Sequence, residues 1–130
     1  MMNRMPADLV LEPLDERFSV CKVTDYSGIS AGQRYCFTGS TDTENSLVCR
    51  TEDVPDNTTA REDGWRCFRI RGELAFYLTG ILAGIAGILA EHDISIFAVS
   101  TYNTDYVFIK EELFEKALDV LRQEGYTTGE

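Results

Sequence analysis

Hydrophobic and polar residues alternate along four segments of the first half of the chain. The two-residue period is typical of a strand with one buried face, and it predicts strands at residues 18–23, 34–38, 46–50 and 65–71. Turn residues at 25–32 and a long polar loop that starts at Val54 separate these strands. Residues 1–15 contain Pro6 and Pro13 and have little periodicity, so they are predicted to be a loosely attached lead-in.

The period becomes helical after Gly72. An apolar segment at 73–78 predicts a short strand that leads through Thr79 and Gly80 into a helix. The large apolar residues of that helix recur at helical spacing, and small residues, two of them glycines, fill its other face. Each internal glycine costs about 1 kcal/mol relative to alanine, so the small face is predicted to allow close approach of a neighbouring element.

The remaining segments predict strands at 94–100 and 106–110, an amphipathic helix at 111–124 and a last short strand at 126–128. The second half therefore has the order β-α-β-β-α-β, in which two helices cover one face of an antiparallel sheet. The first half fits the same order with its helices reduced to turns. An offset of 60 residues aligns Phe37 with Phe97, Thr41 with Thr101, and 47–50 with 107–110. We predict an α+β, ferredoxin-like tandem repeat with units at 14–71 and 72–130.

Charge and composition exclude several classes of function. The formal net charge is −10, and a surface of that sign disfavours nucleic acid and anionic membranes as partners. No stretch is long and apolar enough for a membrane span or a signal peptide, so a cytoplasmic location is predicted. The four cysteines are widely spaced, at Cys21, Cys36, Cys49 and Cys67. They form no CxxC pair and the chain has one histidine, which favours free, buried thiols over a zinc site or disulfides.

Catalytic motifs are missing from the sequence. It contains no nucleophile elbow, Walker loop, dinucleotide fingerprint or zinc-protease motif. The single histidine, His92, is predicted to lie at a helix C-terminus, where a cation is mildly favoured. We therefore predict a protein that is not an enzyme, with no catalytic residue, no metal and no cofactor.

Two segments are candidates for binding a small molecule. One is the helix start at Thr79, Gly80, Ile81 and Leu82, because free N–H groups there attract carboxylates and glycine permits close approach. The other is the polar strand end with Ser100, Thr101, Tyr102, Thr104 and Asp105, where a carboxylate would pair with an ammonium group. The two segments are expected to meet at one edge of the sheet or across an interface with a second copy. The alternative is purely structural: Thr79 caps the helix, and 103–105 is an Asx-stabilised turn.

The stretches GELAFYLTGIL at 72–82 and ISIFAVSTYNTDY at 94–106 resemble ACT-domain proteins related to the regulatory domains of aspartate kinase, the ACT type also found in arginine-sensing CASTOR proteins. The segments at 46–49 and 64–66 also fit. The resemblance implies tandem ACT units, dimers or higher oligomers with side-by-side sheets, and amino acids bound at unit interfaces. It implies that Thr79, Gly80 and Ile81 lie in the ligand-side loop and that Thr101 and Asp105 are strand-end contacts, with Asp105 facing the amino group. Residues 36–45 depart from the family pattern, which leaves a ligand site in the first unit open.

The expected function is a non-catalytic regulatory or sensor module that binds a small amino acid. The alternative is a structural module for self-association or protein docking that binds no metabolite. A homodimer or tetramer is expected in either case, and an amino-acid biosynthetic enzyme is a further possible partner.

Overall fold

The computed structural model describes residues 9–71 and 80–129. The sheet that they form has the strand order β2-β3-β1-β4-β6-β5. Two helices accompany it, which confirms the predicted α+β fold class. The elements in chain order are β1 Val10–Val23, β2 Phe37–Ser40, β3 Asn45–Arg50, a 3-10 turn Thr51–Asp53, β4 Thr58–Arg71, α1 Ile81–Glu91, β5 Ile96–Ser100, β6 Asp105–Lys110 and α2 Glu111–Gln123.

The chain divides into two compact units. One is formed by the residues up to Asp15 together with those from Arg66 onward, and the other is Glu16–Trp65. We call them the C-terminal unit and the inner unit. Strands β1 and β4 each contribute residues to both units. The predicted repeat units at 14–71 and 72–130 concern a sequence repeat and stay a prediction.

The core of the C-terminal unit lies between its helices and strands β4 and β6. Alternate strand residues, Phe68 and Ile70 on β4 and Val107 and Ile109 on β6, are at most 1% exposed and belong to one cluster with the buried faces of α1 and α2. Phe114 of α2 is buried in the same cluster, and the Arg66 guanidinium lies 4.4 Å from the centre of its ring. The two-residue strand period and the helical period therefore bury one common set of apolar side chains.

Both helices end in the same hydrogen-bonded motif. At the end of α2 the Tyr126 N–H donates to the Leu121 carbonyl and the Gly125 N–H to Arg122, with Gly125 at φ +99°. The end of α1 repeats these bonds from Ile94 and Asp93, and here the residue with positive φ is Asp93, at +60°. This Schellman arrangement satisfies carbonyls that a helix end otherwise leaves open, and it reverses the chain direction.

The inner unit has a smaller core and no α-helix among its described residues. Strands β1 and β3, and β2 and β3, pair antiparallel. Cys21, Val23, Leu47 and Cys49 form its buried cluster. After β3 the chain makes only the 3-10 turn Thr51–Asp53, at the place where α2 begins 60 residues later. The predicted reduction of a helix to a turn is therefore observed here.

The lead-in prediction for residues 1–15 is wrong in its described part. Strand β1 begins at Val10 and includes Pro13, and Leu9 and Leu11 are at most 1% exposed. The Leu11 N–H donates to the Thr127 carbonyl, and the Gly129 N–H donates to the Leu11 carbonyl. This pairing depends on the distant C-terminal segment, so local periodicity did not reveal it. Only a single parallel bridge, Leu11 to Thr128, represents the predicted last strand.

Other boundaries also differ from the prediction. The polar loop predicted from Val54 is shorter than expected, because β4 already begins at Thr58. The first seven residues of β4 are largely exposed on both faces, so they show no alternation of hydrophobic and polar positions. The second strand begins at Phe37 rather than at Arg34, since Tyr35 has a positive φ of 56°. Strand β5 begins at Ile96 because Ile94 belongs to the end of α1. The predicted strand at 73–78 lies outside the described residues.

Candidate functional site

The polar segment after β5 is a tight hairpin turn in the C-terminal unit. Ser100 and Asp105 are the last registered pair of β5 and β6, and the Ser100 hydroxyl donates to Asp105 Oδ1 at 2.6 Å. The Thr101 N–H donates to the Thr104 carbonyl at 2.8 Å. The Thr104 hydroxyl donates to the Ile70 carbonyl at 2.6 Å, which ties the turn to the end of β4. This network fixes the position of the Asp105 carboxylate.

The Thr101 hydroxyl stabilises the turn itself. Thr101 Oγ1 donates to the Thr104 carbonyl at 3.1 Å and also lies 3.4 Å from the Thr104 N–H. Tyr102 is 84% exposed. The half-buried Asp105 carboxylate has no cation partner among the described residues. Among the predicted ligand contacts on this segment, the Asp105 carboxylate is therefore the group whose charge and acceptor oxygens are most available to a ligand.

Gly80 occupies the cap position of α1. Its φ is +89°, a left-handed conformation in which a side chain would be strained. The Gly84 N–H donates to the Gly80 carbonyl, and no side chain caps the first turn. Ile81 and Leu82 turn partly into the hydrophobic core, so they hold the helix end in place. Thr79 lies outside the described residues, and the predicted role for it as the helix cap belongs to Gly80.

A short connection joins α1 to β5, the strand that leads into the turn before Asp105. The chain reverses within residues 92–95, so α1 and β5 run in opposite directions. Eleven helical residues rise about 16 Å, and five strand residues span about the same length. The meeting of the first-turn amides of α1 with the Asp105 carboxylate stays a prediction.

The inner unit contains a second hairpin with the same register at an offset of 60 residues. Phe37 pairs with Val48 and Ser40 with Asn45, as Phe97 pairs with Phe108 and Ser100 with Asp105. The serine hydroxyl again donates to the side chain across the turn, here Asn45 Oδ1 at 3.1 Å. The Asn45 amide also donates to the Thr24 carbonyl at 3.1 Å. A carboxylate has no N–H, so Asp105 cannot make the equivalent hydrogen bond to a backbone carbonyl.

His92 and the cysteines have structural environments. His92 Nδ1 donates to the Ile88 carbonyl at 3.0 Å, so the ring caps the end of α1. Burial raises the pKa of the Cys49 thiol to about 12, and it also raises the pKa values of Cys21 and Cys36. Protonated thiols are poor nucleophiles. Within the described ranges, no group of three or more His, Cys, Asp or Glu side chains is arranged to hold a metal ion.

One feature was not found from the sequence. A groove of about 520 Å³ in the inner unit is lined by loop residues that include Gln33, Asp56 and Asn57. The sequence predicts a polar loop at Asp56 and Asn57 and no element at Gln33. Their side-chain amides and carboxylates were the available signal, but their convergence depends on how the two loops pack.

No helix in the described part of the chain is long and apolar enough to cross a bilayer. A sequence model of the ACT domain matches residues 60–123. That span covers most of β4, both helices and the hairpin that carries Asp105.

Similar proteins include the human cytosolic arginine sensor for mTORC1 subunit 1, which is 42% identical over 71 residues. The match covers 52% of this chain and only 22% of the sensor. The Rattus norvegicus sensor is 41% identical with the same coverage. This chain thus corresponds to about a fifth of the curated relatives that it matches.

Solved structures extend the likeness to nearly the whole chain. The protein Atu0741 from Agobacterium tumefaciens superimposes with a TM-score of 0.81 at 28% identity, over 95% of this chain and 94% of that one. The ligand-free regulatory subunit of aspartate kinase from Thermus thermophilus gives a TM-score of 0.59 at 11% identity, over 90% and 96% of the two chains. The second likeness concerns the fold alone.

Proposed function

This chain is an ACT-domain protein, and we propose that it is a non-catalytic regulatory module that binds a free amino acid. The observation that carries the proposal is the Asp105 carboxylate, which Ser100 holds at 2.6 Å and which has no cation partner among the described residues; we propose that it faces the uncapped first turn of α1. One group offers N–H donors and the other offers a negative charge. A zwitterion presents the two complementary groups.

Each end of the ligand would meet a suitable partner. The amide groups after Gly80 would bind the ligand carboxylate, because their N–H groups have no intrahelical acceptors and the helix dipole favours an anion there. Asp105 would accept hydrogen bonds from the ligand ammonium group, with Ser100 holding the carboxylate in position. The proposed contact residues are those predicted from the sequence: Thr79, Gly80, Ile81, Leu82, Ser100, Thr101, Tyr102, Thr104 and Asp105.

The similarity to cytosolic arginine sensors supports a role in sensing an amino acid and a cytosolic location. Because the matched segment is 22% of those relatives, we leave the identity of the amino acid to experiment. A cytoplasmic location and control of an amino-acid biosynthetic enzyme are part of the same proposal. Co-purification from extract with and without the ligand would identify such an enzyme.

A thermal-shift panel of the common amino acids tests the proposal. A ligand present at a hundred times its Kd adds about 2.7 kcal/mol to the free energy of unfolding, so one or two amino acids are expected to raise the Tm. Unchanged melting curves across the panel at millimolar concentration would contradict amino-acid binding.

Asp105→Asn is the variant that isolates the site. Asparagine can keep the bond from the serine hydroxyl, as Asn45 does with Ser40, so the fold and basal Tm are expected to persist while the ligand response disappears. Asp42→Asn removes the same charge from an exposed position in the other hairpin and serves as the matched control. A full ligand response in Asp105→Asn would exclude Asp105 as the ammonium partner.

A structural module for self-association is the second candidate. Ala83, Gly87 and Ala90 are exposed along one side of α1, and an added Cβ at Gly87 would meet no atom within 4 Å. Strand β5 is the last strand in the order formed by the described residues, so a second copy could pair with the edge that those residues leave open. Gly84 is buried within its own unit, so Gly87→Leu is the suitable probe. Loss of a dimer in Gly87→Leu by light scattering, together with a silent amino-acid panel, would favour this candidate.

A further inference from the structure

Three of the four cysteines lie in one small core. Cys21 and Cys49 are buried in the cluster of the inner unit, and the half-buried Cys36 packs against that cluster. All three are free thiols. Burial raises the pKa of Cys49, and the nearby thiols of Cys21 and Cys36 raise it further. The three thiols are therefore neighbours, and the strand register decides which two face each other.

The register of the first hairpin places Cys36 opposite Cys49. The outermost pair in the ladder of β2 and β3 joins Phe37 to Val48, so Cys36 and Cys49 are the next pair outward. Directly opposite residues of an antiparallel pair present their side chains on the same face of the sheet. The packing of Cys36 on the cluster that contains Cys49 agrees with this position.

The ring of Tyr35 supports the same register one residue further out. Tyr35 would lie opposite Arg50, and β1 pairs Phe18 with Arg50. The rings of Tyr35 and Phe18 pack edge to face, with centroids 6.1 Å apart. Tyr35 therefore faces the same side of the sheet as Phe18, and the adjacent Cys36 faces the side of the thiol cluster.

The backbone hydrogen bonds of the hairpin give the type of this pair. The Thr41 N–H donates to the Glu44 carbonyl where the hairpin turns, and bonded and non-bonded pairs alternate from there. Counting outward makes Cys36 and Cys49 a non-hydrogen-bonded pair, whose Cα atoms are about 4.5 Å apart. Disulfides bridge Cα separations of about 4.4–6.8 Å, so this pair can be bridged without moving the backbone.

Cys21 is the less suitable partner for Cys49. It pairs with Leu47 across β1 and β3, which makes it a diagonal neighbour of Cys49. Diagonal neighbours lie about 7–8 Å apart, beyond the usual reach of a disulfide.

We propose that Cys36 and Cys49 form a reversible disulfide when the protein meets a peroxide. The half-buried Cys36 sulfur attacks hydrogen peroxide and becomes a sulfenic acid, and one molecule of water is released. The Cys49 sulfur then displaces the hydroxyl group as a second molecule of water. Two thiols are thereby oxidised and one peroxide is reduced. The bond fixes the segment before β2 to β3, and this inference does not depend on the proposed function.

The reaction is expected to be slow at neutral pH. Burial raises the pKa of both Cys36 and Cys49 above 9.0, and the thiolate is the form that reacts. The thiolate fraction rises about tenfold per pH unit below the pKa. The rate of oxidation is therefore expected to rise about tenfold between pH 7 and pH 8.

Tryptic peptides of the folded full chain after peroxide treatment test the pairing. Residues 35–50 form one peptide that contains both Cys36 and Cys49, whereas Cys21 lies in the peptide 18–22. We expect peptide 35–50 to become two hydrogen atoms lighter and resistant to alkylation, and dithiothreitol to reverse both changes. A link between the two peptides, added oxygen on Cys36 without a link, or thiols that stay free would each overturn the proposal.

Cys36→Ala and Cys21→Ala are the matched variants. A bond between residues 36 and 49 restricts the unfolded chain, so oxidation is expected to raise the Tm of the parent and of Cys21→Ala and to leave that of Cys36→Ala unchanged. Equal rises in all three proteins would contradict the assigned pair. The peptide map of the parent decides the question even if one variant fails to fold.

Discussion

Asn45 and Asp105 occupy the same register position in two hairpins of this chain. The asparagine amide both accepts from a serine hydroxyl and donates to the Thr24 carbonyl. Asp105 can only accept when ionised. This single difference explains why the Asn45 hairpin is hydrogen-bonded to Thr24, whereas the Asp105 hairpin presents a negatively charged carboxylate instead.

The Cys49 thiol makes the stability depend on alkaline pH. Its pKa is raised from 9.0 to about 12 by burial, so the unfolded chain loses this proton first as the pH rises above 9. The contribution of this thiol to the free energy of unfolding is therefore constant below about pH 9 and is expected to fall above it, by at most about 1.4 kcal/mol per pH unit. Urea denaturation at pH 8 and pH 10.5 measures the change.

Cys49→Ala is the control for this pH dependence. The raised pKa values of Cys21, Cys36 and Tyr126 act in the same direction, so the variant is expected to lose only part of the decline between the two pH values. An identical decline in the variant and the parent would show that Cys49 does not contribute.

The two helix ends use one motif with different residues in it. Position C′ is Gly125 after α2 and Asp93 after α1, and both have positive φ. This conformation costs L residues about 1–2 kcal/mol. Gly125→Ala is expected to lower the free energy of unfolding by about that amount, and Asp93→Gly to raise it by up to about 1 kcal/mol. Chemical denaturation of both variants measures the two effects.

Asp93→Ala separates backbone strain from the identity of the side chain. Asp93 already adopts the left-handed conformation, so Asp93→Ala is expected to change stability much less than Gly125→Ala. Equal losses in the two alanine variants would contradict this explanation.

The two hairpins also show which features of an element its local sequence determines. The register at an offset of 60 residues is the same in both units, although only a few residues are identical. In contrast, the helix that follows β6 is reduced to a 3-10 turn after β3. Turn chemistry sets the hairpin, while a helix needs an apolar face and a core to cover it.

At the scale of the whole molecule, the C-terminal unit depends on two segments that precede residue 72. Leu9 and Leu11 of the first segment, and Phe68 and Ile70 of β4, belong to its core cluster. A fragment of residues 72–130 loses all four side chains and the backbone bonds between Leu11 and the C-terminal segment. We expect this fragment to be unfolded by circular dichroism and by the dispersion of its amide spectrum.

The full chain under the same conditions is the reference for that experiment. A fragment with native-like dispersion would mean that residues 72–130 fold independently, as the predicted unit boundary suggests. An unfolded fragment would mean that the C-terminal unit folds only with both earlier segments present.

The sequence by itself determined α1, α2, the Asp105 hairpin and the family, because helical period, glycine positions and turn residues are local signals. Only the tertiary structure decided that residues 10–15 join a strand, that β4 continues through its polar half, and that Gln33 and Asn57 share a groove. Backbone hydrogen bonds between distant segments are nearly independent of side-chain identity, so the local sequence pattern does not reveal them. The candidate site follows the same division: its residue types are visible in the sequence, whereas the bonds that hold the Asp105 turn, from Ser100 and to the end of β4, come from the tertiary structure.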